Sequence, residues 1–583
     1  MKNAEKKIAH NFAQISQEFL PLNVDLLPEP VRAKISQPII TAELPVIMDH
    51  EIYENIRRSK KPRSSVPGDL PRRIVQEFGP ELATPAGKIF RNIVQTGHWP
   101  KQWRLEYGTP LQKQKNPVSE DHLRIISLTN YLSKQMEQFV IGWLLEYVGS
   151  QLDWGQYGGM KGSSISHYLI DFVNFILYNQ DLKVPHAVLA VMIDFAKAFN
   201  RINHNIIITI LSDMGVPGWL LRIVIGFLTE RELIVRYKGG CSSRRALPGG
   251  GPQGTRLGLF LFLILINAAG YSQLEKHMGQ IITGKLNKRS PVPFIHMKYV
   301  DDLSLAQSLN LKECLIPNPD PNPPRPLAYH DRTQHLLPTD ACQLQEQINQ
   351  LVQYSHINQM KINADKCKVM IFNTGRKYDV MPKLTLLGEG DNYLEVVEKF
   401  KLLGVMIRSD MKWYDNTDYI CEKGYSRLWM LRRLKGLGAS ETELMDVYTK
   451  QVRSVLELAV PVWQPALTQI EVKQIERVQR CALYIILGEH FTTYDQAMNL
   501  LECETLNDRR LQLCESFAKK SAKHPKFKNW FSENTEAPPS IKTRGNENNT
   551  MTKFNPVQTR TNRYGDSPLP YLTDILNKTM KNT

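Results

Sequence analysis

The distribution of apolar residues divides the chain into long helical stretches and a few β-prone runs. Residues 66 to about 180 are mostly helical in pattern, because apolar positions in 69–100 recur at spacings of three and four. A basic segment at 107–129 interrupts this stretch and is typical of two strands joined by a turn. Residues 340–358 have the pattern of an amphipathic helix, and residues 415–515 are again helical.

Two β-prone runs end in acidic residues. The run HAVLAVMI at 186–193 is uninterrupted, which is typical of a strand buried on both faces. The segment 294–307, FIHMKYVDDLSLAQ, predicts two strands joined tightly at an Asp-Asp pair. Two further runs, KCKVMIF (366–372) and KFKLLGVMI (399–407), also predict strands.

Shifts in composition suggest five segments. Residues 1–62 form a helical and basic lead that ends in a Ser- and Pro-containing linker, and residues 63–180 begin the main folded part. Residues 181–412 contain the β-prone runs, with a Pro-rich surface insertion at 310–340 that can hold neither helix nor sheet. Residues 413–515 form a helical region, and the Asn-, Thr- and Pro-rich residues 516–583 are predicted to be a largely disordered tail.

Length and charge narrow the class of protein. A chain of 583 residues is too long for one ordinary core and predicts two to four sub-domains. The net charge of +15 favours a polyanionic partner, either nucleic acid or an acidic membrane surface. The longest apolar run, Leu257–Ile266, is too short to span a bilayer, and the eight scattered cysteines have no zinc-site spacing. We therefore expect a reduced intracellular protein without a membrane segment.

The acidic residues are the first candidate chemistry. Asp194 ends the run 186–193, and Asp301 and Asp302 stand between the two strands of 294–307. A carboxylate at the end of an apolar strand is costly unless a cation lies beside it, and oxygen ligands suit hard divalent cations. Two such cations can activate a hydroxyl and stabilise a departing phosphate oxygen. For a single Asp a turn or helix cap is the more common role, but the tandem pair makes that alternative weaker.

Several segments, in order, resemble the motifs of reverse transcriptases. DFAKAF (194–199), PQG (252–254) and YVDD (299–302) resemble motifs A, B and C. Four further blocks also resemble family segments, and they lie at 124–134, 156–173, 362–372 and 400–405. Together with VPVWQP (460–465), this order resembles the polymerase portion of non-LTR (LINE-type) retrotransposon proteins. The resemblance implies an α+β right-hand fold, with fingers, a palm built on an antiparallel sheet, and a helical thumb.

The resemblance also implies an activity and a metal site. A reverse transcriptase copies template RNA into cDNA from a DNA or RNA primer and dNTPs, using two Mg²⁺ ions for which Mn²⁺ can substitute. By this resemblance Asp194 and Asp301 bridge both ions and Asp302 supports the site. The backbone carbonyl of Phe195 adds a neutral ligand.

Other residues match positions that bind the nucleotide. Phe199 matches the bulky residue that excludes a ribose 2′-OH, and Gln253 and Gly254 match the segment that shapes the nucleotide pocket. Lys113 and Arg124 match the cations that clamp the triphosphate. Lys366 matches a candidate acid for the departing pyrophosphate. Outside the resemblance, each lone cation is better interpreted as a solvated charge.

The segment 425–438 is a candidate nucleic-acid surface. Tyr425 and Trp429 fall on adjacent helical turns, together with the cations Arg427, Arg432 and Arg433. The alternative is a thumb helix whose aromatic residues lie in the core and whose arginines are solvated. Both remain open, because opposite faces of one helix can serve each role.

Some positions depart from the family pattern, and two other motifs are decoys. Ile125 follows Arg124 where Pro is usual, and Arg256 and Gly258 stand where small or apolar residues followed by Ser-Pro are frequent. GGGPQG (249–254) matches a dinucleotide-binding pattern formally, but Pro252 interrupts it and no strand leads into it. The near-Walker segment at 279–286 lacks the Ser or Thr that reaches Mg²⁺.

Two alternatives to the reverse transcriptase remain. A catalytically silent, transposon-derived nucleic-acid-binding protein would keep the basic surface and turn over nothing. An RNA-dependent RNA polymerase shares the paired Asp but is disfavoured by Phe199 and by the Tyr-Val before Asp301. With only 62 residues before the matched part, we expect the polymerase portion without an endonuclease domain. We also expect it to reside in the nucleus during integration, or in the cytoplasm.

Overall fold

The computed structural model describes residues 4–59, 66–113, 119, 122–184, 186–269, 294–310, 316–317, 333–334, 343–373, 384–386, 393–533 and 553–581. The near-Walker segment at 279–286 and most of the predicted Pro-rich insertion at 310–340 lie outside these residues. The described part of that insertion contains a short antiparallel pair, Ile316–Pro317 with Thr333–Gln334, so the prediction that it can hold no sheet is wrong there. The described part is a mixed α+β fold, as expected. Within it, no helix is both long and apolar enough to cross a membrane.

Helices form most of the described chain. They are α1 (Ala4–Ser16), α2 (Glu29–Ser36), α3 (Asp49–Arg58), α4 (Arg72–Glu77), α5 (Gly79–Thr96), α6 (Tyr131–Val148), α7 (Ile165–Gln180), α8 (His204–Asp213), α9 (Gly218–Leu228), α10 (Arg256–Asn267), α11 (Gln343–Ile357), α12 (Tyr414–Gly436), α13 (Glu441–Val447), α14 (Ser454–Leu456), α15 (Val460–Trp463), α16 (Gln469–Leu487), α17 (Tyr494–Leu500), α18 (Leu506–Lys523), α19 (Asn562–Gly565) and α20 (Pro568–Lys581).

The strands are short, as is usual for sheets between helices. They are β1 (Leu105–Gln112), β2 (Leu123–Leu128), β3 (His186–Ile193), β4 (Glu232–Tyr237), β5 (Gly240–Cys241), β6 (Arg245–Ala246), β7 (Phe294–Tyr299), β8 (Asp302–Asn310), β9 (Ile316–Pro317), β10 (Thr333–Gln334), β11 (Lys368–Phe372), β12 (Glu395–Val396), β13 (Lys399–Leu402) and β14 (Val405–Arg408).

The contacts divide the chain into two compact units, and the first comprises Met1–Gly159, Phe195–Tyr271 and Gln350–Asn363. Its sheet has the order β2-β1-β4-β5, with β6 also paired to β4. Strands β1 and β2 are antiparallel, whereas β1 and β4 are parallel. Helix α1 buries Ile8 and Ala9 against Leu233 and Val235 of β4. The predicted N-terminal lead therefore includes a helix that is part of the core of this unit.

The second unit comprises Met160–Asp194, Ser272–Asn349 and Ala364–Thr583. Its main sheet has the order β12-β11-β3-β8-β7, with β3 paired antiparallel to both β8 and β11. All eight residues of β3 are buried, as its uninterrupted apolar run predicts. The two predicted strands of 294–307 are β7 and β8, which pair antiparallel.

The prediction of a largely disordered tail is wrong for residues 516–533, where a helix continues to Lys523, and for residues 553–581. Helix α20 buries Leu569, Leu572 and Leu576, whose spacing of three and four residues is amphipathic. The carboxylate of Asp181, at the end of α7, accepts hydrogen bonds from the backbone N–H groups of Arg560 and Thr561 at 2.8 and 2.7 Å. The polar composition of this region conceals one apolar helix face and one buried anchor.

His167 joins α7 to the region that follows α18. Its ring stacks on Phe527 at 3.9 Å, and its two ring nitrogens form hydrogen bonds with the hydroxyls of Ser164 and Ser521 at 2.8 and 3.1 Å. Burial lowers the pKa of His167 to about 3, because a charged imidazolium is poorly solvated there, and the nearby charge of Lys526 acts in the same direction. His167 is therefore neutral in the folded chain over the physiological range.

This burial predicts acid sensitivity. Between pH 6.5 and about 3, His167 is protonated in the unfolded chain but neutral in the folded chain. The stability that is present above pH 6.5 is therefore lost as the pH falls toward 3. We expect the free energy of unfolding to fall by about 1 kcal/mol per pH unit in this window. The His167→Phe variant should lose that slope in urea titrations at pH 7.5 and 5.5. An exposed-site control, His490→Phe, should keep it; equal slopes in both variants would contradict the assignment.

Candidate active site

The three candidate carboxylates lie at one end of the sheet in the second unit. Asp194 directly follows Ile193, the last residue of β3, which pairs with Leu303 of β8. Tyr299 pairs with Asp302, so Val300 and Asp301 form a two-residue turn between β7 and β8. Strand order and register therefore bring the end of β3 next to this turn, as the sequence pattern predicts.

The turn holds an unusual backbone conformation. Val300 has φ of +61°, in the left-handed region that β-branched residues rarely adopt. Such a conformation costs about 1–3 kcal/mol and persists where the surrounding structure imposes it. Here the pairing of Tyr299 with Asp302 closes the turn. A β-branched residue under strain beside two carboxylates is typical of a functional turn rather than of a simple connection.

Tyr168 of α7 supports the turn from one side of the sheet. Its hydroxyl donates a hydrogen bond to Ser304 Oγ of β8 at 2.6 Å, and its ring packs edge-on against Tyr299 at 6.3 Å. Burial raises the pKa of this phenol well above its usual value, and the charge of Asp302 acts in the same direction. Tyr168 therefore remains a neutral hydrogen-bond donor.

Lys366 lies beside Asp194, and its role as an acid stays a prediction. Its ammonium is 3.4 Å from Asp194 Oδ2, while the backbone N–H of Asp194 points to Cys367 Sγ at 3.5 Å. Asp194 Oδ2 is buried and accepts no hydrogen bond from any described residue. A buried carboxylate oxygen without a donor is costly, so this oxygen favours a cation nearby.

The residue types at this end of the sheet fit a hard divalent cation, because carboxylate oxygens are its preferred ligands. Asp194 Oδ2, which is buried and accepts no hydrogen bond but has the Lys366 ammonium at 3.4 Å, is one candidate ligand. In the part of the chain that the structure describes, however, no three His, Cys, Asp or Glu side chains converge as a metal-binding group. The assignment of Asp194, Phe195, Asp301 and Asp302 as one ligand set therefore stays a prediction.

In the first unit, Phe195 and Phe199 are both fixed by local contacts. The backbone of Phe195 forms a β-bridge with Ile362, and its side chain is buried. Phe199 lies on a short 3₁₀ helix, Ala198–Arg201, and its ring stacks on Phe262 of α10 at 4.8 Å. The ring of Phe199 is thus held in one orientation, half-buried, as a steric selector would need to be.

Gln253 and Gly254 are held close to strand β2. The backbone N–H of Ser127 donates to the carbonyl of Gln253 at 2.6 Å. Gly254 has φ of +127°, and a Cβ there would lie 2.4 Å from Ser127 O. Only glycine tolerates this conformation and this distance, so the Gln253–Gly254 segment is bound to β2 through its backbone.

Glu137 is a residue that the sequence analysis missed. Its carboxylate accepts hydrogen bonds from the first backbone N–H groups of α10, those of Arg256 at 2.8 Å and Leu257 at 3.2 Å. Burial raises its pKa, since the charged form is poorly solvated there. Negative charge at a helix N-terminus is favourable, so Glu137 fixes the start of α10 just after Gly254. The available signal was an acid between Met136 and Val140 on the apolar face of α6.

Lys113 and Arg124 lie at the same end of the β1–β2 pair. Leu111 pairs with Arg124, and the backbone N–H of Lys113 donates to His122 O at 2.9 Å. Arg124 is exposed to solvent. The structure therefore brings together the two cations predicted to clamp the triphosphate, although neither role is tested by this geometry.

Helix α12 presents the predicted nucleic-acid face only in part. Tyr425 and Trp429 are 40% and 59% exposed, and Arg432 and Arg433 are also exposed. The interpretation that these aromatic side chains lie in the core is therefore wrong. Arg427 differs, because it is half-buried and its guanidinium donates to the backbone carbonyl of Gln451. Arg427 is better explained as a structural residue.

Comparisons with known proteins agree with this arrangement. A family model described as reverse transcriptase (RNA-dependent DNA polymerase) matches residues 112–407, just over half of the chain. This range contains the carboxylates, Lys366 and all the predicted nucleotide-binding residues, whereas the three candidate arginines of α12 lie beyond it.

Curated relatives come from fruit flies. The chain is 27% identical over 258 residues to "RNA-directed DNA polymerase from mobile element jockey" of Drosophila melanogaster, covering 43% of this chain and 28% of the relative. It is 28% identical over 179 residues to "Probable RNA-directed DNA polymerase from transposon BS" of the same species, covering 30% and 19%. The jockey protein of Drosophila funebris is 23% identical over 322 residues, covering 55% and 30%. The chain thus spans less than a third of the length of these relatives.

The capping role of Glu137 gives a first test at this site. Glu137→Ala leaves two buried N–H groups at the start of α10 without an acceptor, and we expect a loss of about 2–4 kcal/mol in the free energy of unfolding. Glu137→Gln keeps a carbonyl acceptor and should lose less. Glu146→Ala, on the exposed face of the same helix, is the matched control for helix propensity. If urea denaturation shows equal losses for Glu137→Ala and Glu146→Ala, the capping role is excluded.

Proposed function

Because the chain belongs to the reverse transcriptase (RNA-dependent DNA polymerase) family, we propose that it is the polymerase portion of a non-LTR retrotransposon protein. It would copy template RNA into cDNA from a DNA or RNA primer. The observation that carries the proposal is the position of Asp194 at the end of β3, next to the turn that holds Asp301 and Asp302. These residues all lie within the range matched by the family model.

We also propose the finer architecture of the family. The sheet β12-β11-β3-β8-β7 corresponds to the palm, and the β1–β2 pair belongs to the fingers. The helices from α12 to α18 form the thumb-like region. Support for the palm comes from the antiparallel pairing of β11, β3, β8 and β7 and from the carboxylates at one end of β3 and β8. Residence in the nucleus during integration belongs to the same proposal.

The proposed reaction is attack of the primer 3′-oxygen on the α-phosphate of a dNTP, with release of pyrophosphate. Two Mg²⁺ ions, held by Asp194, Asp301 and Asp302 and by the carbonyl of Phe195, would supply charge neutralisation when bound. Lys366 Nζ, which lies 3.4 Å from Asp194 Oδ2, would hold the proton that passes to the departing pyrophosphate. Most of the catalysis then comes from positioning and electrostatic stabilisation.

The binding of the nucleotide would rest on residues of the first unit. Lys113 and Arg124 would hold the triphosphate as a point charge and a planar fork respectively. Phe199, whose ring is fixed against Phe262, would exclude a ribose 2′-OH. The backbone at Gln253 and Gly254, bound to β2 through Ser127, would form the floor of the nucleotide pocket.

The test of the activity is primer extension on an RNA template with dNTPs and Mg²⁺. We expect the wild type to extend the primer and Asp301→Ala to lose about a thousandfold or more in rate, since a ligand of the proposed metal ions is removed. Asp213→Ala, an exposed Asp at the end of α8, is the matched control and should retain activity. A wild type that binds RNA but extends nothing with Mg²⁺ or Mn²⁺ would instead support the silent nucleic-acid-binding protein. Preference for rNTPs would support an RNA polymerase.

The exposed face of α12 gives a separate prediction about primer–template binding. Trp429→Ala should weaken the affinity for an RNA–DNA primer–template by about 1–3 kcal/mol, because an exposed aromatic ring that stacks on nucleic acid contributes about this much. The double variant Arg432→Gln/Arg433→Gln should reduce the dependence of the dissociation constant on salt. Fluorescence anisotropy across a salt series measures both effects. Trp154→Ala, at a comparably exposed Trp of the first unit, is the control. Affinity and salt slope equal to those of the wild type would exclude this face.

A further inference from the structure

The end of helix α1 binds the glycine loop that precedes Gln253. Ser16 Oγ donates a hydrogen bond to Gly249 O at 2.5 Å and accepts one from Gly249 N at 2.9 Å. Ser16 is only 2% exposed, so both bonds are shielded from water. One side chain thereby satisfies both backbone groups of a loop residue 233 positions away in sequence.

Phe19 adds a steric contact at the same glycine. A Cβ at Gly249 would lie 2.4 Å from the Cδ2 atom of Phe19, so the ring packs directly on the backbone of the loop. Phe19 is itself buried, at 7% exposure. The Ser16–Phe19 segment thus holds Gly249 by both hydrogen bonding and close packing.

The same segment also contacts the 3₁₀ helix that carries Phe199. Glu18 Oε2 accepts a hydrogen bond from the guanidinium of Arg201 at 3.1 Å, and Arg201 ends that helix. Glu18 is half exposed, so this ion pair alone contributes little energy. The ion pair instead helps to position the segment, because it is a second, independent contact between Ser16–Phe19 and the helix that carries Phe199.

The glycine loop is in turn bonded to the backbone around Phe199. Gly251 N donates to Phe199 O at 2.7 Å, and Gly250 N donates to Ile202 O at 2.8 Å. The ring of His204 forms a further hydrogen bond with Gly250 O at 2.7 Å. Any displacement of the loop must therefore displace the backbone of Phe199 or break these bonds.

One side of the loop borders a small cavity. This cavity, of about 50 Å³, is lined by Phe12 and Ser16 of α1 and by the backbone from Gly249 to Gln253, among others. A loop next to empty space lacks packing on that side and can shift into it. The hydrogen bonds from Ser16 and the packing of Phe19 therefore restrain the loop where the cavity leaves it without neighbours.

We propose that Ser16 is a positioning residue for nucleotide selection: through Gly249 and Gly251 it fixes the backbone of Phe199, and hence the ring that discriminates deoxyribose from ribose. This inference rests on the proposed function, because it assigns Phe199 to the sugar of the incoming nucleotide. It adds to that function a part for the N-terminal helix, which lies before the range matched by the family model.

The test compares incorporation of a dNTP with that of the matching rNTP on one RNA template. For Ser16→Ala, the ratio of kcat/KM for dNTP to that for rNTP should fall by about two- to tenfold, the effect of losing one or two buried hydrogen bonds. Because both rates come from one enzyme preparation, their ratio does not depend on the fraction of folded protein. Ser16→Thr keeps the hydroxyl and should restore the ratio.

Ser242→Ala is the matched control. Ser242 is buried in the same unit, and its Oγ likewise accepts a backbone N–H, from Val235 at 2.9 Å, and donates to a carbonyl, Ser243 O at 2.8 Å. Its variant should lose stability without changing the selection ratio. Phe199→Val is the positive control, and it should lower the ratio further than Ser16→Ala.

The charge pair provides a second test that does not disturb the core. Glu18→Arg and Arg201→Glu should each lower the dNTP-to-rNTP ratio by up to about threefold. The double variant should restore the ratio, because it re-forms the pair with reversed charges. If Ser16→Ala does not fold, the selection ratios of these charge variants test the positioning role instead.

The outcomes separate the two proposals. A wild type that extends no primer would overturn the proposed function itself. A wild type that extends the primer, combined with an unchanged ratio in Ser16→Ala or an equal fall in Ser242→Ala, would overturn the positioning role alone. A charge pair whose single variants leave the ratio unchanged would overturn it as well.

Discussion

The register of β3 against β8 is the constraint on which the candidate active site depends. Side chains alternate between the two faces of a strand, so a slip of one residue would exchange every buried side chain of β3 for its neighbour. All eight residues of β3 are buried, and each is either apolar or has its hydrogen bonds satisfied. Packing alone therefore does not fix the register of β3 against β8. The tight turn between β7 and β8 sets the register of those two strands, and β3 pairs with β8 from Ile193–Leu303 to His186–Asn310 and with β11 along its other edge. Asp194 is the first residue after this restrained strand, so the sheet sets the position of its backbone, and the contacts with Lys366 and Cys367 add to this.

The electrostatics at the end of β3 point in the same direction as the geometry. A carboxylate oxygen that is buried and accepts no hydrogen bond loses several kcal/mol of solvation unless a cation compensates. The ammonium of Lys366, at 3.4 Å, is the cation that the described chain provides, but its side chain is 67% exposed and highly flexible. An exposed lysine in one of many rotamers compensates weakly. The oxygen of Asp194 can therefore accept a further cation beside Lys366, and its part in a metal site stays a prediction.

Local sequence patterns predicted the elements well where the pattern is regular. The apolar run at 186–193 is β3, and the paired strands at 294–307 are β7 and β8, because burial on both faces and tight turns leave strong signals in sequence. The pattern failed where the partner is distant. Glu137 lies 119 residues before Arg256, and Ser16 lies 233 residues before Gly249, so neither pairing has a local signal. Sequence composition did not predict helix α20, because the polar average of the region outweighs three apolar residues that share one helix face.

Several backbone positions near the candidate site depart from the usual φ preferences of their residue types. Val300, a β-branched residue, has φ of +61°, and Lys197, three residues after Asp194, has φ of +52°. Gly254 is forced against Ser127 O, and Gly250 has φ of +87°. Each of these positions lies within a few residues of a predicted catalytic or nucleotide-binding residue. Strain of this kind survives only where the surrounding contacts impose it, and a protein that needed nothing from these loops would lose stability by retaining it. Positive φ also occurs at non-glycine residues away from this site, for example Glu230, Ala459 and Glu502, so the strain at Val300 supports the site only together with the carboxylates beside it.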